Sequence, residues 1–186
     1  MSKTLDHFVG GVLITLYLPF KKPLDRQRQK LKQTYLNDPQ SISDRQAYYI
    51  LQDIAWDMYH SGKFAEAEIY ADELFRLSQQ LKKDWHYGNA IHHYHTIVGL
   101  IRLHEGNQVD AKYHLNQAAE VKGSPQLDNL GPLFDLANAL LVRGEINAVK
   151  KYLAACAKFW KLDDGKLKHW MAAIDCGSSP QMQSLI

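Results

Sequence analysis

Three glycines, Gly62, Gly106 and Gly144, each separate two runs of residues spaced at three and four. Ile50, Leu51, Ile54, Ala55 and Met58 precede the first, and Phe64, Ala67, Tyr70, Ala71, Leu74 and Phe75 follow it. Around the second stand Val98, Gly99 and Ile101, then Val109, Ala111, Leu115 and Ala118. Around the third stand Leu133, Leu136, Ala137 and Leu140, then Val149, Leu153, Cys156 and Ala157. That spacing puts apolar side chains on one face of a helix. Glycine accepts the left-handed backbone that closes one helix before the next begins. Each turn therefore predicts an antiparallel helix hairpin.

The hairpins also agree in register. Seven residues before each turn stands Ala55, Gly99 or Ala137, and five after it stands Ala67, Ala111 or Val149. Ala71, Leu115 and Leu153 come four positions later, and Leu74, Ala118 and Cys156 three beyond those. Small side chains at matched positions let paired helices approach closely. On Ala55, Gly62, Ala67, Gly99, Gly106, Ala111, Ala137 and Gly144, the chain resembles the tetratricopeptide repeat (TPR) family, whose helix pairs carry small residues on either side of a turn glycine. The resemblance covers Tyr48 to about Trp160. It departs from the family in a repeat of 44 and then 38 residues, and in Leu51, His95 and Leu133 where an early aromatic is expected. The closing proline of each repeat is missing, although Gly123-Ser124-Pro125 interrupts the chain after the second pair. The stretch 122–132 and Lys158-Phe159-Trp160-Lys161 also resemble bacterial repeat proteins of unassigned activity.

The fold that follows is all-α: a right-handed solenoid of about three TPR-like hairpins, preceded by an N-terminal apolar segment and closed by a C-terminal capping helix. The domain assignment is residues 1–42 for the apolar and basic segment, 43–176 for the repeats and cap, and 177–186 for a flexible tail. Ser43-x-x-Gln46 predicts a capping box at the start of the first pair. After Trp160, the residues Leu167, Trp170, Met171 and Ile174 mark the cap, because a stack of repeats leaves its last face uncovered.

Residues 8–20 are uncharged and mostly apolar. As a helix they would reach about 20 Å, short of a hydrocarbon core of about 30 Å. Three readings stay open: packing onto the repeats, attachment to a membrane, and a cleaved signal. The basic residues Lys21, Lys22, Arg26, Arg28, Lys30 and Lys32 follow the apolar run, against one acid, Asp25. They would keep the following domain on the cytoplasmic side, with any membrane contact made at its inner face through residues 8–32. From Gln33 onward 15 basic residues face 18 acidic ones, which argues against a nucleic-acid-binding face.

Chemistry is sparse. The chain has no phosphate-binding glycine loop, no nucleophile elbow and no zinc-protease motif, so no catalytic residue and no cofactor is assigned. Two cysteines, Cys156 and Cys176, make neither a disulfide framework nor a metal quartet. Seven of nine histidines lie between His60 and His114, and His92 and His95 are spaced to share a helix face. A metal-dependent enzyme at that pair is the weakest of the functional readings, since zinc needs a third or fourth ligand; no metal ligand is assigned.

The leading expectation comes from the resemblance, which implies a groove lined by the first helix of each pair. Its positions fall on Tyr49, Gln52, Trp56, Tyr59 and His60, then on His93, Thr96, Leu100, Leu103 and His104, then on Gly131, Phe134, Asn138, Leu141 and Val142. The function expected is a non-enzymatic scaffold or adaptor that binds a protein or peptide there. The alternative is a membrane-tethered assembly factor held through residues 8–20. Gln52, Trp56 and Thr96 stand where some members clamp a partner's terminal carboxylate, so that type of partner is not expected.

Overall fold

The computed structural model describes residues 24–184. The apolar run at residues 8–20, on which the membrane reading rests, lies outside them. The described residues are all-α, with no strand among them, and none of their helices is long and apolar enough to cross a membrane. The chain divides into two compact units, Met1–Ile50 and Leu51–Ile186.

In the first unit α1 (24–37) runs into a single 3-10 turn at Pro39–Ser41. Asp38 caps that turn by accepting the Gln40 N–H at 3.0 Å. The capping box that starts α2 (Asp44–His60) is present: the Gln46 N–H donates to Ser43 Oγ at 3.3 Å, and the Ser43 N–H donates to Gln46 Oε1 at 3.0 Å. Two amides that the helix start would leave unpaired are thereby satisfied. Along α1, Arg26, Arg28 and Lys30 are exposed, and Lys32 is buried.

The second unit carries the hairpins. From Leu51 on, α2 pairs with α3 (Phe64–Gln80) through Ala55, Ala67 and Ala71. α4 (Tyr87–His104) pairs with α5 (Gln108–Ala119), and α7 (Asp135–Val142) with α8 (Ile146–Cys156). Gly62, Gly106 and Gly144 have φ of +74°, +83° and +80°. Each glycine N–H donates to the carbonyl three residues back, at 3.0, 3.2 and 2.9 Å. Each following N–H donates to the carbonyl five back, on Met58, Arg102 and Leu140, at 2.9, 2.8 and 3.0 Å. This is the Schellman closure, made three times, and it satisfies carbonyls that a helix end leaves over.

The matched small positions are all interior: Ala55, Ala67, Ala111, Ala137 and Val149 have no exposed surface, and Gly99 is buried. A Cβ on Gly99 would overlap Leu136 Cδ2 and lie 2.9 Å from His114 Cβ, so α4 approaches its neighbours where no side chain fits. First helix meets first helix, α4 on α7, and second meets second, α5 on α8. α9 (Lys166–Asp175) packs on α8 and buries Leu167, Trp170 and Ile174.

Two features depart from the expected pattern. Between α5 and α7 lies a short helix, α6 (Pro125–Leu130), started by Ser124 Oγ accepting the Leu127 N–H at 3.1 Å and by Pro125, whose missing N–H costs nothing there. Gly131, assigned to the groove, is instead the residue that ends α6, at φ +95°. It is glycine because a Cβ would stand 2.6 Å from the Trp160 ring. Nor does the expectation of a loose tail extend to Met182, which is 1% exposed and joins the core.

Candidate functional site

The strip expected along the first helices divides into an interior part and an accessible part. Ten residues before each turn, Gln52, Thr96 and Phe134 are all buried. Gln52 Oε1 accepts from Asn89 Nδ2 at 3.3 Å, and Thr96 Oγ1 donates to the His92 carbonyl at 2.8 Å. Phe134 is ringed by Tyr152, Trp160 and Trp170, with centroids 6.0, 5.8 and 5.0 Å away. Leu100, Leu103 and Leu141 are buried too. These side chains are interior and are not presented to a partner. Tyr49 lies in the first unit, where its carbonyl accepts from Arg28 Nη2 at 3.2 Å. What remains accessible in the second unit is Trp56, Tyr59, His93 and Asn138, half-buried, with His60, His104 and Val142 exposed.

Trp56, Tyr59, His60 and His104 form one aromatic group with Phe64. The Trp56 ring stacks on His60 at 5.3 Å and meets the edge of Tyr59 at 5.7 Å. Phe64 packs on Tyr59 at 5.5 Å and on His104 at 4.1 Å. Trp56 Nε1–H donates to His93 Nδ1 at 2.9 Å. Since indole only donates, His93 Nδ1 is the acceptor and the ring is held with that nitrogen unprotonated. Burial, and next the charge of Asp135, raises the pKa of Tyr59, so it stays a phenol. The outcome is a half-open aromatic surface with orientable N–H and O–H groups, a composition common at interaction sites.

Asn138 makes the second feature. Its Nδ2 donates to the Met182 carbonyl at 2.9 Å, and its Oδ1 accepts the Met182 N–H at 3.0 Å. One carboxamide thus holds both backbone groups of a single residue in a segment outside any helix. A cleft of about 270 Å³ adjoins it, lined by Leu133, Phe134 and Asp135 on one side and by residues 181–184 on the other.

His92, His95 and His114 serve structure. His92 is fully buried, and its Nδ1 lies 2.8 Å from the Ala118 carbonyl while its Nε2 accepts the Leu133 N–H at 2.8 Å. A carbonyl can only accept, so Nδ1 carries the proton, and neither nitrogen is left to bind a metal. His95 Nδ1 pairs with His114 Nδ1 at 3.0 Å. Burial lowers the pKa of His92 to about 4, of His95 to about 3 and of His114 to about 4, with His114 itself adding to the fall at His95 and Arg102 to that at His114. Among the described residues no three His, Cys, Asp or Glu side chains gather as a metal site. Cys156 is buried, and that burial pushes its thiol up, away from nucleophilic use.

Sequence reasoning missed Met182 and the part played by the Leu133 backbone. The Leu133 backbone is gripped from both sides, its N–H by His92 and its carbonyl by the Tyr152 hydroxyl at 2.6 Å. No side-chain pattern announces such a backbone role. Met182 left a trace, being the one long apolar side chain in the polar stretch 177–184. No family model, curated protein or solved structure matches this chain.

Proposed function

We propose that the chain is a non-enzymatic protein-interaction module of the tetratricopeptide kind, a right-handed solenoid of hairpins that binds a linear segment of polypeptide along its first-helix face. The observation that supports this reading is the Asn138 carboxamide, which pairs with the N–H and C=O of a non-helical residue whose side chain is buried beside it. Pairing to backbone groups supplies affinity without demanding a sequence, about 1 kcal/mol for each bond. Pockets for side chains then supply selectivity. The aromatic group at Trp56, Tyr59, His60 and His104 extends the same strip and offers the rigid, half-exposed rings that anchor partners.

Selection of random linear peptides displayed on phage against the immobilised full chain tests the reading. Peptides with Kd of about 1–100 µM are expected, with binding weakened about tenfold or more by Trp56→Ala or by His60→Ala, an exposed position whose loss leaves the core intact. Circular dichroism checks that each variant is folded. Failure to select any peptide, or selected peptides indifferent to both substitutions, would overturn it.

A further inference from the structure

The segment that occupies Asn138 belongs to the chain itself. α9 ends at Asp175, and the chain returns so that Met182 reaches α7. Gln181 and Gln183 are exposed while Met182 between them is 1% exposed, the alternation that an extended backbone produces. Asn138 takes both backbone groups of Met182, and at the segment's start the Ser178 N–H donates to the Ala173 carbonyl at 2.9 Å, where α9 closes. At Met182 the attachment is one backbone pair and one buried side chain, and the adjoining cleft of about 270 Å³ leaves room beside it. Nothing in those two bonds depends on which residue supplies the N–H and C=O, provided it is not proline.

Resting on the interaction reading above, we propose that residues 178–184 are a tethered competitor for the site at Asn138. A partner displaces them with a linear segment that offers its own backbone pair to Asn138 and puts an unbranched apolar side chain where Met182 sits. Methionine suits such an exchange because its flexible, polarisable side chain fits an imperfect socket without strain. The tether is short, a few residues from the end of α9, so the tail acts at an effective concentration in the millimolar range and sets a threshold that a partner must exceed.

The test uses a fluorescein-labelled nonapeptide with the sequence of residues 178–186, followed by anisotropy. Against the full-length wild type the probe binds weakly. Against full-length Met182→Asp, whose tail cannot seat a charge in the core, it binds about tenfold tighter or more. Adding Asn138→Ala to Met182→Asp abolishes that binding. Should Met182→Asp unfold, a protease site inserted after Gly177 and cut after folding frees the tail from a native body, and the same gain is expected. Equal binding of the probe to wild type and to the tail-released forms, or to neither, would overturn the proposal. If this probe fails while phage-selected, Trp56-dependent peptides bind, the tail proposal falls alone; if selection also returns nothing, the interaction reading falls with it.

Discussion

His92 shows how a single side chain can be committed to structure by its surroundings. Its ring lies between the end of α5 and the segment leading into α7, and each nitrogen meets a backbone group, the Ala118 carbonyl or the Leu133 N–H. Replacement by alanine removes both partners at once, leaving a buried donor and a buried acceptor at about 1–3 kcal/mol each, with a cavity besides. His92→Ala is therefore expected to lower unfolding free energy by about 3 kcal/mol or more in urea titration. His92→Gln, which keeps one donor and one acceptor, should lose less. Equal losses for the two would show that ring packing, not the bonds, holds the site. From sequence the same histidine suggested a metal pair with His95, because spacing reports which residues share a helix face and not which nitrogens are already spoken for.

The helices explain why the hairpins were legible and the groove only partly so. Turn glycines, small residues at fixed distances and a capping box act within a few residues of one another, so their consequences are written locally. The left-handed φ values and the buried alanines follow from that alone. α6 was equally local, signalled by Ser124 and Pro125, but read only as an interruption. Which face of α7 stays open depends on α9 and the tail, far along the chain, and no local rule reports that Trp170 covers Phe134 or that Met182 reaches Asn138. Two glycines separate backbone strain from packing. Gly106→Ala meets nothing within 4 Å and suffers only its φ of +83°, a cost of about 1 kcal/mol. Gly99→Ala needs no unusual φ, yet its Cβ would strike Leu136 and His114, and forcing α4 outward costs about 1–3 kcal/mol. Thermal unfolding should therefore rank Gly99→Ala as the more damaging, and the reverse order would mean that the approach of α4 to α7 is not tight.

At the scale of the molecule, the buried histidines make stability depend on acid. His92, His95 and His114 all have pKa values lowered first by burial, to about 4, 3 and 4 from 6.5. Near pH 7 they are neutral both folded and unfolded, and nothing is gained or lost. As pH falls through 6.5 the unfolded chain takes up protons that the folded chain refuses. The unfolded state then binds more protons, so stability falls with falling pH. The loss continues until the folded histidines titrate, near pH 4 for His92. A difference of 2.5 units at His92 amounts to about 3 kcal/mol at the bottom of that window, using 1.36 kcal/mol per unit. His95 and His114 act in the same direction, His114 less strongly because water reaches it. Asp72 opposes them, since burial and then Glu68 raise its pKa and let the folded state hold a proton first; exposed as it is, it offsets little. Urea midpoints at about pH 7, 5.5 and 4.5 should thus decline steadily below 6.5. His92→Gln should flatten the decline, because its amide does not titrate. A midpoint unchanged from pH 7 to 4.5 would mean that these rings are open to water and that α4 does not bury them between its neighbours.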